Sequence, residues 1–451
     1  MGHSNQEQFG SKIGFIFAAA GSAIGLGAIW KFPYVAGTSG GGAFLLLFLF
    51  FMIVLGYPLL LAEFVIGRRA GTDAVSAYKM ISPYTNSHWI GKLGFITCFI
   101  ILSYYSVIGG WIILYIFHTL LGNLSSLSFE QYNTFFVNVI SNPFATLFAQ
   151  ALFMLMTIVV VARGIQGGIE KVSRWMMPAL FILFMFIVVR SLFLENAMEG
   201  VRFIFYPDFS KLSTDAILFA LGQAFFSLSI GMSIMVTYSS YVSKQQSLPK
   251  SAFSVVSLNV LIALLAGLAI FPGVFTFGLE PTAGPTLIFS VLPAVFQNMF
   301  GGTMLFLLFL ILFLFAAFSS ALSLLEMIVS IRTKGDVQKR QRTSWIFGII
   351  IFIVGVPSCL SFSTLSDTLL LNRTFFDLAD YVTSNIFIPL GGLLIALFVA
   401  FRFPKEALQE ELFTGSKAKK SFFNIWFFLV KYVIPLGIII VFLDAVGLIN
   451  L

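Results

Sequence analysis

Charge is what this 451-residue chain has least of. Asp, Glu, Lys and Arg make up 10% of it, against 59% hydrophobic residues. A soluble domain carries about 25% charge, and no water-soluble fold hides that much apolar surface, so a globular cytoplasmic enzyme is excluded. Disorder needs low hydrophobicity and is excluded with it. Cysteine is almost missing: Cys98 and Cys359 both sit in apolar runs, which rules out a disulfide framework. Histidine is as scarce. His3, His88 and His118 lie far apart, so neither a metal cluster nor a catalytic centre at a membrane face is expected. No soluble domain interrupts the chain, which argues against a receptor. The net charge of +7 comes from 26 Lys+Arg against 19 Asp+Glu. In so apolar a chain that surplus marks cytoplasmic loops, and no nucleic-acid partner is expected.

What is there is long apolar runs. A bilayer core about 30 Å thick needs roughly 20 residues of helix. Eleven such stretches fall near 13–36, 43–67, 93–121, 145–162, 175–194, 214–242, 251–277, 302–331, 344–362, 375–401 and 423–448. The expected fold class is therefore an all-α integral membrane protein with 11 transmembrane helices. A shorter stretch near 283–298, holding Pro285 and Pro293, is expected as an outer re-entrant or interfacial helix. The first stretch carries no cleavage pattern, so it reads as a span and not a signal peptide. Most Lys and Arg fall in alternate loops, among them Arg68, Arg69, Arg163, Arg174, Arg332 and Arg340. That bias puts the N-terminus in the cytoplasm and, after eleven spans of a cell membrane, the C-terminus outside. The sequons at Asn123 and Asn372 would then lie outside.

Two stretches are interrupted. The first holds Gly21, Gly25 and Gly27; the sixth reads Ser227-Leu228-Ser229-Ile230-Gly231-Met232-Ser233. Each glycine costs a helix about 1 kcal/mol relative to alanine. Unwound backbone at membrane depth persists only where protein, ion or substrate satisfies it. Close helix packing explains one such stretch. Two of them, five spans apart, fit inverted repeats at 1–200 and 201–401, with 402–451 adding a loop and the eleventh helix, and mark a transporter's midplane site. Half-helix N-termini hold a carboxylate. Half-helix carbonyls with Ser or Asn oxygens suit a hard cation such as sodium. Other polar residues inside the runs are Glu63, Tyr105, Asn259, Ser319, Ser320 and Asp380, and intramembrane charges are costly enough to be functional. Gly168 and Pro178 bracket the start of the fifth stretch. Both weaken a helix, which suggests a segment that unwinds to let water in from the cytoplasm.

Four segments carry a resemblance: Gly21 to Pro33, Thr38 to Phe44, Glu63 in AEFVIGR, and Gly222 to Tyr241. With them the chain, from about residue 9 to its end, resembles the neurotransmitter:sodium symporter family. The resemblance implies an inverted five-plus-five repeat with discontinuous helices 1 and 6. It implies a sodium-coupled symporter, not an enzyme, that imports hydrophobic L-amino acids, aliphatic and aromatic, by alternating access across a lipid bilayer. Carried over by position, one sodium ion would be held by the carbonyls of Gly21, Ile24 and Ala316 and the hydroxyls of Ser319 and Ser320. A second would take the Ala23 carbonyl, Ser227, Asn259 and the substrate carboxylate, which puts Ser227 beside the substrate as well. That carboxylate would meet the amides of Leu26 and Gly27 and the Tyr105 hydroxyl. The amino group would meet carbonyls near Ala23, Phe226 and Ser229. The side-chain pocket would be Ile101, Phe226, Ser229, Met232, Ser320 and Leu324. Relatives that carry amines have Asp at the Gly25 position, so this cargo should bring its own carboxylate.

The chain departs from the family's pattern in four places. Ala28 replaces an Asn at the second sodium. Gln223, Ser227 and Asn259 are present, but Phe48 and Ala263 replace a Tyr and a Ser or Glu, which argues against a chloride requirement. Lys31 and Asp380 match the outer ion-pair gate, with Phe226 capping the substrate beneath and Lys in place of the usual Arg. At the inner gate Tyr241 is kept, while Gln6, Phe9 and Lys334 replace Arg, Trp and Asp, with Asp336 close by. The inner closure is therefore expected to use different contacts. Glu63 is expected to brace the first and sixth spans. The other reading is a proton-coupled or uncoupled amino acid transporter of the same fold.

Overall fold

The computed structural model describes residues 7–125, 127–278, 287–445 and 448. His3, Gln6, Pro285 and the end of the eleventh stretch lie outside them. Among the described residues the chain is helical throughout, apart from loops and two isolated bridges, Gly41 with Pro207 and Leu370 with Arg373.

All eleven expected stretches are built as helix, two of them in halves. Span 1 comprises Lys12–Ala23 and Gly27–Thr38, bent by 52°. Span 2 is Gly42–Ala70, span 3 His88–Leu120, span 4 Pro143–Ala162 and span 5 Ile165–Leu192. Span 6 comprises Thr214–Phe226 and Ile234–Ser240. Span 7 is Leu248–Thr276, span 8 Gly302–Thr333, span 9 Val337–Leu360, span 10 Phe375–Phe401 and span 11 Lys420–Asp444. Polar residues start several of them. Ser11, Asn142, Ser213, Asp336 and Thr374 accept backbone N–H groups of the first turns, satisfying donors that a helix start leaves free.

The breaks have local causes. Span 6 stops where Ser229, Gly231 and Ser233 take φ of 52°, 87° and 58°, and a left-handed residue cannot continue a right-handed helix. Span 1 stops at Ile24, with φ −84° and ψ 65°. There the two breaks touch: a methyl group on Gly27 would lie 2.9 Å from the Phe226 ring and 3.2 Å from Ser227 Cα. Only glycine allows that approach.

Spans 3 and 8 form the centre, each with 72% of its most apolar stretch buried, whereas spans 9 and 11 have 33% and 28% and present the rest outward. Span 8 lies along span 3, the Lys12–Ala23 half of span 1 and span 5; the Ile234–Ser240 half of span 6 lies on span 2. The short stretch before span 8 is buried over 288–296 and packs against spans 7 and 8, with Leu292, Val295 and Phe296 at 1% exposure or less. It is packed inside the bundle, where an interfacial helix would leave one face outside.

Candidate functional site

The two breaks enclose a cavity of about 40 Å³. Its walls are Ser22, Ala23, Gly25, Leu26 and Gly27 of span 1, Ile101 and Tyr105 of span 3, Phe226, Ser229 and Met232 of span 6, and Ser320 and Leu324 of span 8. Every residue expected to touch substrate is there except Ser227. The Ser227 hydroxyl instead turns to the Met52 sulfur at 3.8 Å. Above the cavity, on the side of Lys31 and Asp380, lies a second one of about 260 Å³. Leu26, Tyr105 and Phe226 line both, so Phe226 is the thin wall between them.

The polar atoms of this region are arranged around exposed carbonyls. Ser319 Oγ donates to Gly21 O at 2.7 Å and to Ala316 O at 3.0 Å. Ser320 Oγ donates to Ser22 O at 3.0 Å, and Ser229 Oγ to the same oxygen at 2.8 Å. Asn259 Nδ2 reaches Ala23 O at 3.1 Å and Ser227 O at 2.7 Å, while its Oδ1 is buried without a partner. Turning that amide over would set Oδ1 beside two carbonyls, an oxygen-only group of the kind a sodium ion takes. Gln223 Nε2 donates to Gly27 O at 2.6 Å, and Phe48, Ala28 and Ala263 are fully buried beside these segments. The Tyr105 hydroxyl is buried without a hydrogen bond of normal geometry; the Leu26 N–H and the Ser320 hydroxyl are its polar neighbours.

The outer gate differs from expectation. Lys31 and Asp380 line the same outer cavity, but the ion pair is not made. Lys31 Nζ lies over the Phe226 ring, 4.3 Å from its centroid. Asp380 accepts from Tyr104 Oη at 3.0 Å and Ser384 Oγ at 2.9 Å. Lys31 has a ring face and Asp380 two hydroxyls, so each is satisfied without the other. Glu63 braces only span 6, accepting Gly231 N–H at 2.7 Å.

At the Tyr241 end of the bundle, where the inner gate is expected, the contacts are not those of the motifs. Tyr241 Oη donates to Glu326 Oε1 at 2.8 Å. Arg340 donates to both Glu326 oxygens and lies 3.6 Å from Glu7 Oε2. Phe9 donates its N–H to Tyr241 O and sets its ring edge-on to Phe15, Tyr238 and Tyr241. Asp336 takes no part: it caps span 9 and pairs with exposed Lys339 at 2.8 Å. Lys334 ends span 8 with φ 49°. Neither Glu326 nor Arg340 belongs to a motif. Glu326 is a carboxylate inside the eighth apolar stretch, as costly there as Glu63 in the second. Arg340 reads as a loop charge by its place in the sequence, yet it is 6% exposed. Nor do the motifs point to Glu170, which accepts from Gly10 N–H at 2.7 Å and Ser11 Oγ at 2.9 Å and so ties the start of span 1 to span 5.

Broken helices meeting around carbonyls and an apolar cavity at membrane depth define a multi-pass transporter. The family model described as the sodium:neurotransmitter symporter family matches residues 6–135 and 128–450. The chain belongs to that family: it is a sodium-dependent symporter and not an enzyme. It is 55% identical over 450 residues, 100% of each chain, to YhdH of Bacillus subtilis, named an uncharacterized sodium-dependent transporter. It is 36% identical over 98% of each chain to an uncharacterized sodium-dependent transporter of Haemophilus influenzae. Among solved structures, the crystal structure of MhsT in complex with L-phenylalanine superposes with a TM-score of 0.90 at 42% identity, covering 98% of this chain and 100% of that one.

Proposed function

We propose that this symporter imports hydrophobic L-amino acids, aliphatic and aromatic, by alternating access, together with two sodium ions and without chloride. The supporting observation is the cavity itself: its side-chain end is Ile101, Phe226, Met232 and Leu324, and its other end is the Leu26–Gly27 backbone beside the buried Tyr105 hydroxyl. Leu26 and Gly27 start the outer half of span 1, where free N–H groups favour a carboxylate. The residues available for sodium are oxygens of Gly21, Ile24, Ala316, Ser319 and Ser320 on one side, and of Ala23, Ser227 and Asn259 on the other. Likeness to MhsT, whose structure holds L-phenylalanine, agrees with an amino acid cargo.

At about 40 Å³ the cavity has room for a few waters, each needing about 10–15 Å³, and not for an amino acid side chain as large as that of phenylalanine. Cargo therefore has to spread the two non-helical segments, and Met232, a flexible side chain, suits cargo of varied shape. In this reading the N-terminus faces the cytoplasm of a cell membrane and the C-terminus the outside. The Glu326, Arg340, Tyr241 and Phe9 cluster then closes the inner path.

Uptake of labelled amino acids into proteoliposomes, with and without an inward sodium gradient, tests the reading. Gradient-dependent uptake of leucine and phenylalanine is expected, with little of lysine or glutamate. Uptake indifferent to the gradient would mean the proton-coupled or uncoupled alternative. Preference for charged amino acids would overturn the pocket assignment.

A further inference from the structure

Met232 reaches the cavity from the break of span 6, and span 3 approaches that break with no side chain between. A methyl group on Gly94 would lie 2.4 Å from the Met232 carbonyl oxygen and 3.0 Å from its carbon. One turn on, the Cys98 thiol donates to the same oxygen at 3.8 Å. Gly94, Cys98, Ile101 and Tyr105 follow at spacings of four, three and four, so they share one face of span 3. Ile101 and Tyr105 line the cavity. Seven residues of helix put Gly94 about 10 Å further along the axis, so Met232 is lodged between Gly94 and the cavity. Gly94 lies inside a continuous helix, where glycine is destabilising by about 1 kcal/mol. The close approach of Met232 is what its missing side chain provides.

We propose that Gly94, with Cys98, is a specificity-positioning residue: it sets how deep the cavity runs, and so the largest side chain carried, by fixing where the Met232 backbone rests. The inference depends on the reading that a hydrophobic amino acid occupies this cavity. Span 3 is the stiffer partner, since it is buried and flanked by spans 4, 8 and 9. Gly231 is held by Glu63 and by span 10, where a methyl group on Gly391 would meet its carbonyl at 1.9 Å. Bulk added at position 94 therefore displaces Met232 away from the inner end of span 3 and into the cavity. Large cargo loses room; small cargo does not.

The test is the sodium-dependent half-saturation concentration for alanine, leucine, phenylalanine and tryptophan in proteoliposomes. Gly94→Ala is expected to raise the values for phenylalanine and tryptophan, relative to alanine, by about 10-fold, the discrimination one methyl group carries in a pocket. Adding Met232→Ala to that variant is expected to move the ratio back. An unchanged ratio, or equal loss for all four amino acids, overturns the proposal. If Gly94→Ala does not fold, Cys98→Val adds bulk beside the same carbonyl and is expected to shift the ratio the same way by less; no shift there overturns the proposal too. If the unaltered chain takes up none of the four with sodium, the functional reading fails, and this inference with it.

Discussion

At the scale of single residues, two buried oxygens of the site, Tyr105 Oη and Asn259 Oδ1, lack a partner within the protein. Leaving a buried polar atom unpaired costs about 1–3 kcal/mol. The Tyr105 hydroxyl is such an atom. Tyr105→Phe is expected to leave the thermal midpoint unchanged or raised, since nothing is unpaired by the change. A hydrogen bond to a charged group contributes about 1.5–3 kcal/mol, so the same variant should weaken amino acid uptake at least about tenfold. A fall in midpoint with unaltered half-saturation would make Tyr105 structural. Asn259 behaves differently because its amide also joins Ala23 O to Ser227 O. Asn259→Ala should raise half-saturating sodium about tenfold, the loss of one ion contact of roughly 1.5 kcal/mol, and lower the midpoint as well. Unaltered sodium dependence would remove Asn259 from the ion site.

At the scale of elements, the two interruptions were legible because their cause is local. Glycines and small polar residues in an otherwise apolar stretch are a backbone signal, and Ser229, Gly231 and Ser233 carry it as left-handed φ. Pairings across space were not legible. Glu326 meets Arg340 across the loop between spans 8 and 9, and no spacing rule links them. Arg68 and Arg340 read as loop charges by their place in the sequence, although both are buried. Lys31 and Asp380 align with a gate, but which partner each takes depends on where Phe226 and Tyr104 stand. Span 5 adds an element-level expectation. Its start, Ile165–Glu170, is a π-helical turn containing Gly168, and Pro178 lies inside the helix that follows. Met177, beside that proline, is 3.3 Å from where a Gly21 methyl would sit, so span 5 abuts the first candidate sodium site. Proline in a helix interior forfeits a hydrogen bond and costs about 3 kcal/mol. Pro178→Ala should therefore hold span 5 helical, slowing sodium release and reducing inner-side labelling of cysteines placed near Gly21. Rates and labelling equal to those of the unaltered chain would mean that Pro178 is only a kink.

At the scale of the whole molecule, a carrier must keep part of itself rigid while the broken helices move. The Arg68 end of span 2 is tied down by a cluster that the sequence pattern does not announce. Arg68 donates to Glu411 Oε1 and Glu411 O at 2.5 Å each, to Thr414 O at 3.2 Å and to Gln246 O. Lys244 completes it at 2.7 Å from Glu411 Oε2. Span 2, the loop after span 6 and the short helix Lys405–Phe413 after span 10 are thereby joined at one point. The side chains of Arg68 and Glu411 are 0% and 1% exposed, so this is a buried pair. Removing one partner of such a pair leaves a buried charge uncompensated and costs about 3–5 kcal/mol. Glu411→Gln should accordingly lower the thermal midpoint by several degrees. The half-saturating sodium and amino acid concentrations of the surviving protein should stay within about twofold, because the cluster shares no hydrogen-bond partner with the site residues. The signature is the reverse of the one expected for Tyr105→Phe, which spares stability and loses affinity. Measuring both variants by melting and by uptake separates scaffold from site. If Glu411→Gln changed sodium dependence while leaving the midpoint in place, the cluster would belong to the moving part of the carrier and not to its frame.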